Sequence, residues 1–241
     1  MARTDGKRRV GGNWLRRAIA YFDPARDGFV RRVVRFVAVA SAFVVLAALV
    51  ALAAVLQQPM GHYAASATLL ELGWPSMALR VSERLLEMAP AQNDAFYALH
   101  AANLRNLGRY DEQLSALEDG VVALPDGAQI HAQLCWYGTL FEDVTTVGAA
   151  ALDASCDAAI ELATEFRARG TAHARRAMRR AHAVGDLSGA AEDMAQAFQE
   201  WDAAGARVRR MPYPWAAWRA TIEAGQDPLA GDALQRERER F

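Results

Sequence analysis

Lysine is almost missing from these 241 residues: Lys7 is the only one among 27 basic side chains. Beyond that position its absence excludes a P-loop, a Schiff-base lysine and a kinase lysine–glutamate pair, each of which needs a lysine amine at the reacting group. Cysteine is nearly as scarce, with Cys135 and Cys156 alone and no Cys-x-x-Cys pair. His62, His100, His131, His173 and His182 form neither His-Glu-x-x-His nor any close pair, so zinc-ligand spacing is missing. There is no Gly-x-Ser-x-Gly nucleophile elbow. These absences argue against an enzyme, so no catalytic residue, no metal and no cofactor are expected.

Charge is missing locally. Residues 36–56 read FVAVASAFVVLAALVALAAVL, without a charge and with Ser41 as the only hydroxyl. At about 1.5 Å per residue a helix of that length spans the roughly 30 Å hydrocarbon core of a bilayer. The expectation is a single transmembrane helix in contact with lipid. A cleaved signal peptide is the rival reading, because Ala51-Leu52-Ala53 resembles a cleavage site. The long apolar run behind a 35-residue tail favours an uncleaved anchor.

The run separates two charge regimes. Residues 1–35 hold ten basic against three acidic side chains, a net of +7, whereas the remaining 206 hold 17 arginines against 25 acids, a net of −8. Arg16, Arg17, Arg26, Arg31, Arg32 and Arg35 precede the run, and the first basic residue after it is Arg80. The positive-inside rule then expects residues 1–35 to be a basic cytoplasmic tail of a single-pass protein in the cytoplasmic membrane. Everything after Gln57 is expected to be periplasmic or otherwise extracytoplasmic. Within the tail, NWLRRAIAYF at residues 13–22 can form a helix with an apolar side towards lipid, or serve as a disordered retention signal. A net-acidic exported domain is a poor binder of nucleic acid, so none is expected as a partner.

Beyond the run the chain repeats a skeleton. Gly73 and Gly108 lie 35 positions apart, and each is followed 17 positions later by a proline, Pro90 and Pro125. A stretch with helical period precedes each glycine, over residues 62–72 and 95–107. The unit is helix, glycine turn, helix, proline stop. Ala78 is placed where the two backbones approach most closely, and Gln113 holds the same offset after Gly108.

These residues resemble the tetratricopeptide repeat, whose unit is a helix pair of roughly 34 residues with small and proline positions at these spacings. GRYDEQ at residues 108–113 is similar to the family's turn, with Gln113 in place of the expected alanine. VGDLSGAAEDMAQAF at residues 184–198 resembles a divergent turn and second helix, and residues 130–140 and 149–166 read as a further pair. The resemblance implies an all-α fold: after the transmembrane helix, an α-solenoid of about four helix pairs over residues 60–205, closed by a capping segment at 206–241. It also implies a protein-binding scaffold with a concave groove lined by the first helix of each pair.

Cys135 and Cys156 lie at similar distances from a turn centred near Thr145 and Thr146, so antiparallel helices would bring them to one level. A disulfide, and two buried thiols packed as small hydrophobes, both fit. Near the end, Trp215, Trp218 and Ile222 form one apolar stripe, suited to cover the end of the solenoid or, alternatively, to stack a ligand.

TAHARRAMRRAHAV at residues 171–184 places Arg175 and Arg179 on one helix face near His182, with Arg176 and Arg180 on the adjacent face. With Arg105 and Asn106 from the second unit, Arg175, Arg179 and His182 are expected in the groove, ready to pair with an acidic segment or a carboxylate. A partly exposed pair of this kind adds little stability. The competing reading is a solvated basic face answering Glu192 and Asp193. At the level of function, the expectation is a membrane-anchored scaffold binding another protein on the exported side. The alternative is an accessory subunit of a membrane complex held by its transmembrane helix, with Ala40, Val44, Ala47, Ala51 and Ala54 as a seam of small residues.

Overall fold

The computed structural model describes residues 24–206 and 213–240, in two units, Met1–Leu56 and Gln57–Phe241. The amphipathic stretch expected at residues 13–22 lies outside the described residues. In the first unit, α1 runs over Pro24–Leu56. Pro24 opens it, at a helix position whose N–H would have no partner in any case. The helix therefore begins well before residue 36, taking in the end of the expected tail. The described side chains of residues 36–48 are all exposed. Among the described residues no helix is long and apolar enough to cross a membrane. Several α1 side chains, those of residues 51–53 included, lie outside the description, so Ala51 of the expected seam is not placed, while Ala40, Ala47 and Ala54 are exposed.

The second unit is built of helix pairs: α2 (Pro59–Glu71) with α3 (Pro75–Met88), α4 (Asp94–Asn106) with α5 (Tyr110–Ala123), α6 (Ala128–Leu140) with α7 (Ala149–Glu161), and α8 (Phe166–Arg179) with α9 (Leu187–Ala203). The glycine skeleton is explained by backbone geometry. Gly73 and Gly108 adopt φ of +76° and +71°, a left-handed conformation that side chains with a Cβ rarely tolerate. That conformation turns Trp74 N–H back to Leu69 O at 2.9 Å and Arg109 N–H to Leu104 O at 3.1 Å, satisfying carbonyls that the helix end leaves open. Ala78 is fully buried beside α2, where Ser66 Oγ donates to its carbonyl at 2.9 Å. At the equivalent place in the next pair Gln113 is fully buried instead.

One boundary differs from the sequence reading. The helix expected over residues 149–166 stops at Glu161, and Phe166 opens α8. No proline marks that junction, so the helical pattern runs through it unbroken. The first helix of the fourth pair ends in a π turn, Arg180–Val184, closed by Gly185 in the left-handed conformation. Asp186 then starts α9 by accepting from Gly189 N–H at 2.9 Å.

The first helices of successive pairs touch: α2 meets α4, α4 meets α6 and α6 meets α8, whereas the second helices do not meet in this way. The stack therefore curves with the first helices on its inner face. α6 is buried along most of its length, and a disulfide ties Cys135 in it to Cys156 in α7, with Cα atoms 4.9 Å apart. Closing a loop of that size can contribute about 3 kcal/mol by restricting the unfolded chain. After α9 the chain forms α10 (Trp215–Glu223) and α11 (Asp232–Glu239). Trp215, Trp218 and Ile222 are buried, with the two indoles 6.1 and 5.9 Å from Trp136 and Trp215 5.7 Å from Trp201. The tryptophans are thus core packed between Trp136 of the third pair and Trp201 of the fourth, rather than a ligand-stacking pair.

Candidate functional site on the inner face

Because α4, α6 and α8 lie side by side on the inner face, long side chains from one reach the next. Arg105 on α4 donates to the Tyr137 hydroxyl on α6, and its guanidinium carbon lies 5.4 Å from the ring centroid. Arg175 on α8 donates to Ala132 O on α6 at 2.9 Å. Tyr213, just before α10, packs with its ring 5.1 Å from Trp136. Burial pushes the Tyr213 hydroxyl up to about 12, and neighbouring Tyr137 adds to the rise while Arg175 and Arg105 oppose it. Burial also lowers the Arg175 guanidinium below its ordinary value, against Tyr213 and Tyr137. Two arginines and two tyrosines from four segments therefore meet on this surface, and the chain's own Tyr213 fills part of it.

Beside Arg175 the inner face opens into a cleft of about 510 Å³. Asp94, Gln129, Gln133, Arg167 and Thr171 contribute polar groups to it, and alanines of α6, α7 and α8 form much of the remainder. Asp94 has a second task, accepting from Gln129 N–H at 3.0 Å and so capping the start of α6 from α4. The arrangement offers both charge signs, amide groups and an apolar floor. It suits a polypeptide segment better than a single small anion.

The structure separates the five groove residues expected from sequence. Arg105 and Arg175 come together on the inner face. Asn106 is exposed and its amide donates to Ala102 O at 2.8 Å within α4. Arg179 is only 2% exposed, with Nε donating to Asp153 at 2.6 Å and Nη1 lying 3.0 Å from Glu142. It is therefore an internal strut, and the expectation that it forms a partly exposed pair with Arg175 is corrected by its burial. His182 pairs with Asp227 at 2.8 Å, tying the π turn to the segment after α10.

Of the two acids in the competing reading the adjacent basic face answers Asp193, which is buried rather than solvated. Arg176 and Arg180 reach Asp193 on α9 at 2.5 and 3.1 Å, and Arg176 also reaches Asp157 at 2.7 Å. Burial alone would raise the Asp193 carboxyl, but hydrogen bonds from His173 and Arg176, with the charge of Arg180, hold it below the ordinary value. Among the described residues no group of three or more His, Cys, Asp or Glu side chains is placed to hold a metal ion.

Sequence reasoning missed Tyr137, Tyr213, Asp94 and Gln133. Tyr213 sits in Met-Pro-Tyr-Pro, which has no helical period to assign it a face. Asp94 carried a signal, a carboxylate just after Asn93 at the start of a helix, but its second role depends on α6 lying alongside.

Comparison with known proteins supports the architecture. The crystal structure of a thermophilic tetratricopeptide-repeat protein of Thermus thermophilus superposes with a TM-score of 0.51 at 19% identity, covering 70% of this chain and 82% of that one. The fold is thus a tetratricopeptide-like helical repeat. No protein-family model matches the chain, and no curated protein matches it either.

Proposed function

We propose that this chain is a membrane-anchored helical-repeat scaffold that binds another protein through the inner face of its repeats on the exported side of the membrane. The observation that carries the reading is the cleft between the inner helices, polar along its walls, with Arg175 at its edge. Tetratricopeptide-like folds are typically non-enzymatic scaffolds for protein partners, and the neighbour's fold supports that class for this chain. Anchoring rests on the charge-free residues 36–56 within α1 and on the basic side chains before them. The disulfide supports an oxidising compartment for the repeats, because such bonds persist chiefly outside the reducing cytosol.

The test is site-specific photocrosslinking of the full chain in its native membranes. A crosslinker at Arg167, exposed beside the cleft, should yield a discrete adduct that fades with salt, whereas one at Val122, exposed on α5, should not. The Arg167 adduct should survive replacement of residues 36–56 by an unrelated span. Equal labelling from both positions would remove the cleft as the binding surface. Loss of the adduct on replacing the span would favour the accessory-subunit reading.

A further inference from the structure

The two ends of the repeat stack are finished differently. At the α9 end, α10 packs against α9, and its Trp215 and Trp218 are buried. At the other end α2 has no preceding pair within the unit, and its outer face is apolar apart from the exposed Glu71 at its last residue. Met60, Ala64, Thr68 and Leu72 follow one another at four-residue intervals and all are exposed. The Thr68 hydroxyl is already used, donating to Ala64 O at 2.8 Å. The strip continues around the turn, where Leu72 is 59% exposed, Trp74 54% and Met77 46%. A water-facing helix normally carries charge there. α3 obeys that rule, with Arg80, Glu83, Arg84 and Glu87 as exposed positions. From residue 36 to residue 79, by contrast, Glu71 is the only Asp, Glu, Lys or Arg.

Only Gln57 and Gln58 lie between the end of α1 and the start of α2. That link cannot carry Pro59 more than about 11 Å from Leu56. We propose that α2 and the turn after it rest on the bilayer surface, with Met60, Leu72, Trp74 and Met77 in the headgroup region of the exported leaflet. The inference rests on residues 36–56 spanning the membrane. Such an interfacial helix buries its apolar side at the boundary of headgroups and acyl chains. Tryptophan suits that depth, having a large apolar ring with one polar N–H. Lipid is favoured over a second copy because the apolar strip is continuous in the chain with the proposed span and tethered to it by two residues.

The experiment uses the full chain in phosphatidylcholine–phosphatidylglycerol liposomes. Both native cysteines are in the disulfide, so a single introduced cysteine can carry an environment-sensitive fluorophore. Labels at Leu72→Cys, Val122→Cys and Val44→Cys are challenged with lipids bearing a nitroxide near the headgroup or deep in the acyl chain, and with aqueous iodide. The expected result is deep quenching at position 44, and headgroup-level quenching at 72 at least threefold stronger than at 122. If 44 is quenched but 72 behaves like 122, the surface contact is wrong while the span stands. If 44 is not quenched by either lipid, the span falls and takes this inference with it. A label at 72 shielded from iodide and from both lipids places protein on the strip and overturns the proposal.

Discussion

Arg175 on α8 and Ala132 on α6 are joined across the inner face, guanidinium to carbonyl oxygen, at 2.9 Å. One turn further along α8, Arg179 is directed instead to Asp153 and Glu142. Residues that share a face by sequence spacing thus serve different ends: one lines the proposed binding surface and the other braces the third pair.

This contrast is testable by chemical unfolding of residues 57–241. Arg179→Ala removes a buried cation and its charge-assisted bonds, with an expected loss of about 2 kcal/mol, moderated because both partner carboxylates are well exposed. Arg175→Ala loses one hydrogen bond but relieves a desolvated charge, so a change within about 1 kcal/mol is expected. Equal losses would show that both arginines are structural.

Gln113 is a built-in weakness. Its side chain is fully buried, and neither amide oxygen nor amide nitrogen has a hydrogen-bond partner among the described residues. Replacement by Met keeps the length and removes the unsatisfied polar atoms, and the unfolding midpoint should rise by the equivalent of about 1–2 kcal/mol. Gln113→Ala should gain less, because the missing atoms leave a void. A Met variant less stable than the parent would mean that the amide is bonded in solution.

His100 should make the first repeats acid-sensitive. It belongs to a buried polar group in which Ser82 Oγ lies 3.0 Å from His100 Nδ1 and 3.0 Å from Asn103 Nδ2. Burial is the main force lowering the imidazole's affinity for a proton, aided by Arg109 and opposed by Glu112. A lowered folded-state value means that the unfolded chain binds the proton more tightly. Stability is therefore full above the ordinary value of 6.5 and is lost as pH falls from there through the folded value. His100→Gln should flatten that part of the stability–pH curve, and unfolding curves between pH 7 and 5 for both proteins would show it. Identical slopes would mean that His100 does not drive the loss.

Sequence alone determined the elements whose cause is local. Gly73 and Gly108 require a left-handed backbone, Pro90 and Pro125 follow the ends of second helices, and Trp215, Trp218 and Ile222 form a stripe at helical spacing; each leaves a trace in its own few residues. The junction at residues 162–165 left none, because no proline or glycine interrupts the helical pattern there. Only the tertiary structure decided the site. Helical periodicity groups Arg175 with Arg179, but it says nothing about which neighbouring helix each side chain meets. Side-chain length and the packing of α6 and α7 send Arg175 to Ala132 and Arg179 to Asp153. Tyr213 reaches Trp136 because the segment at the start of α10 packs against α6 of the third pair, a contact across 77 positions that no local pattern encodes.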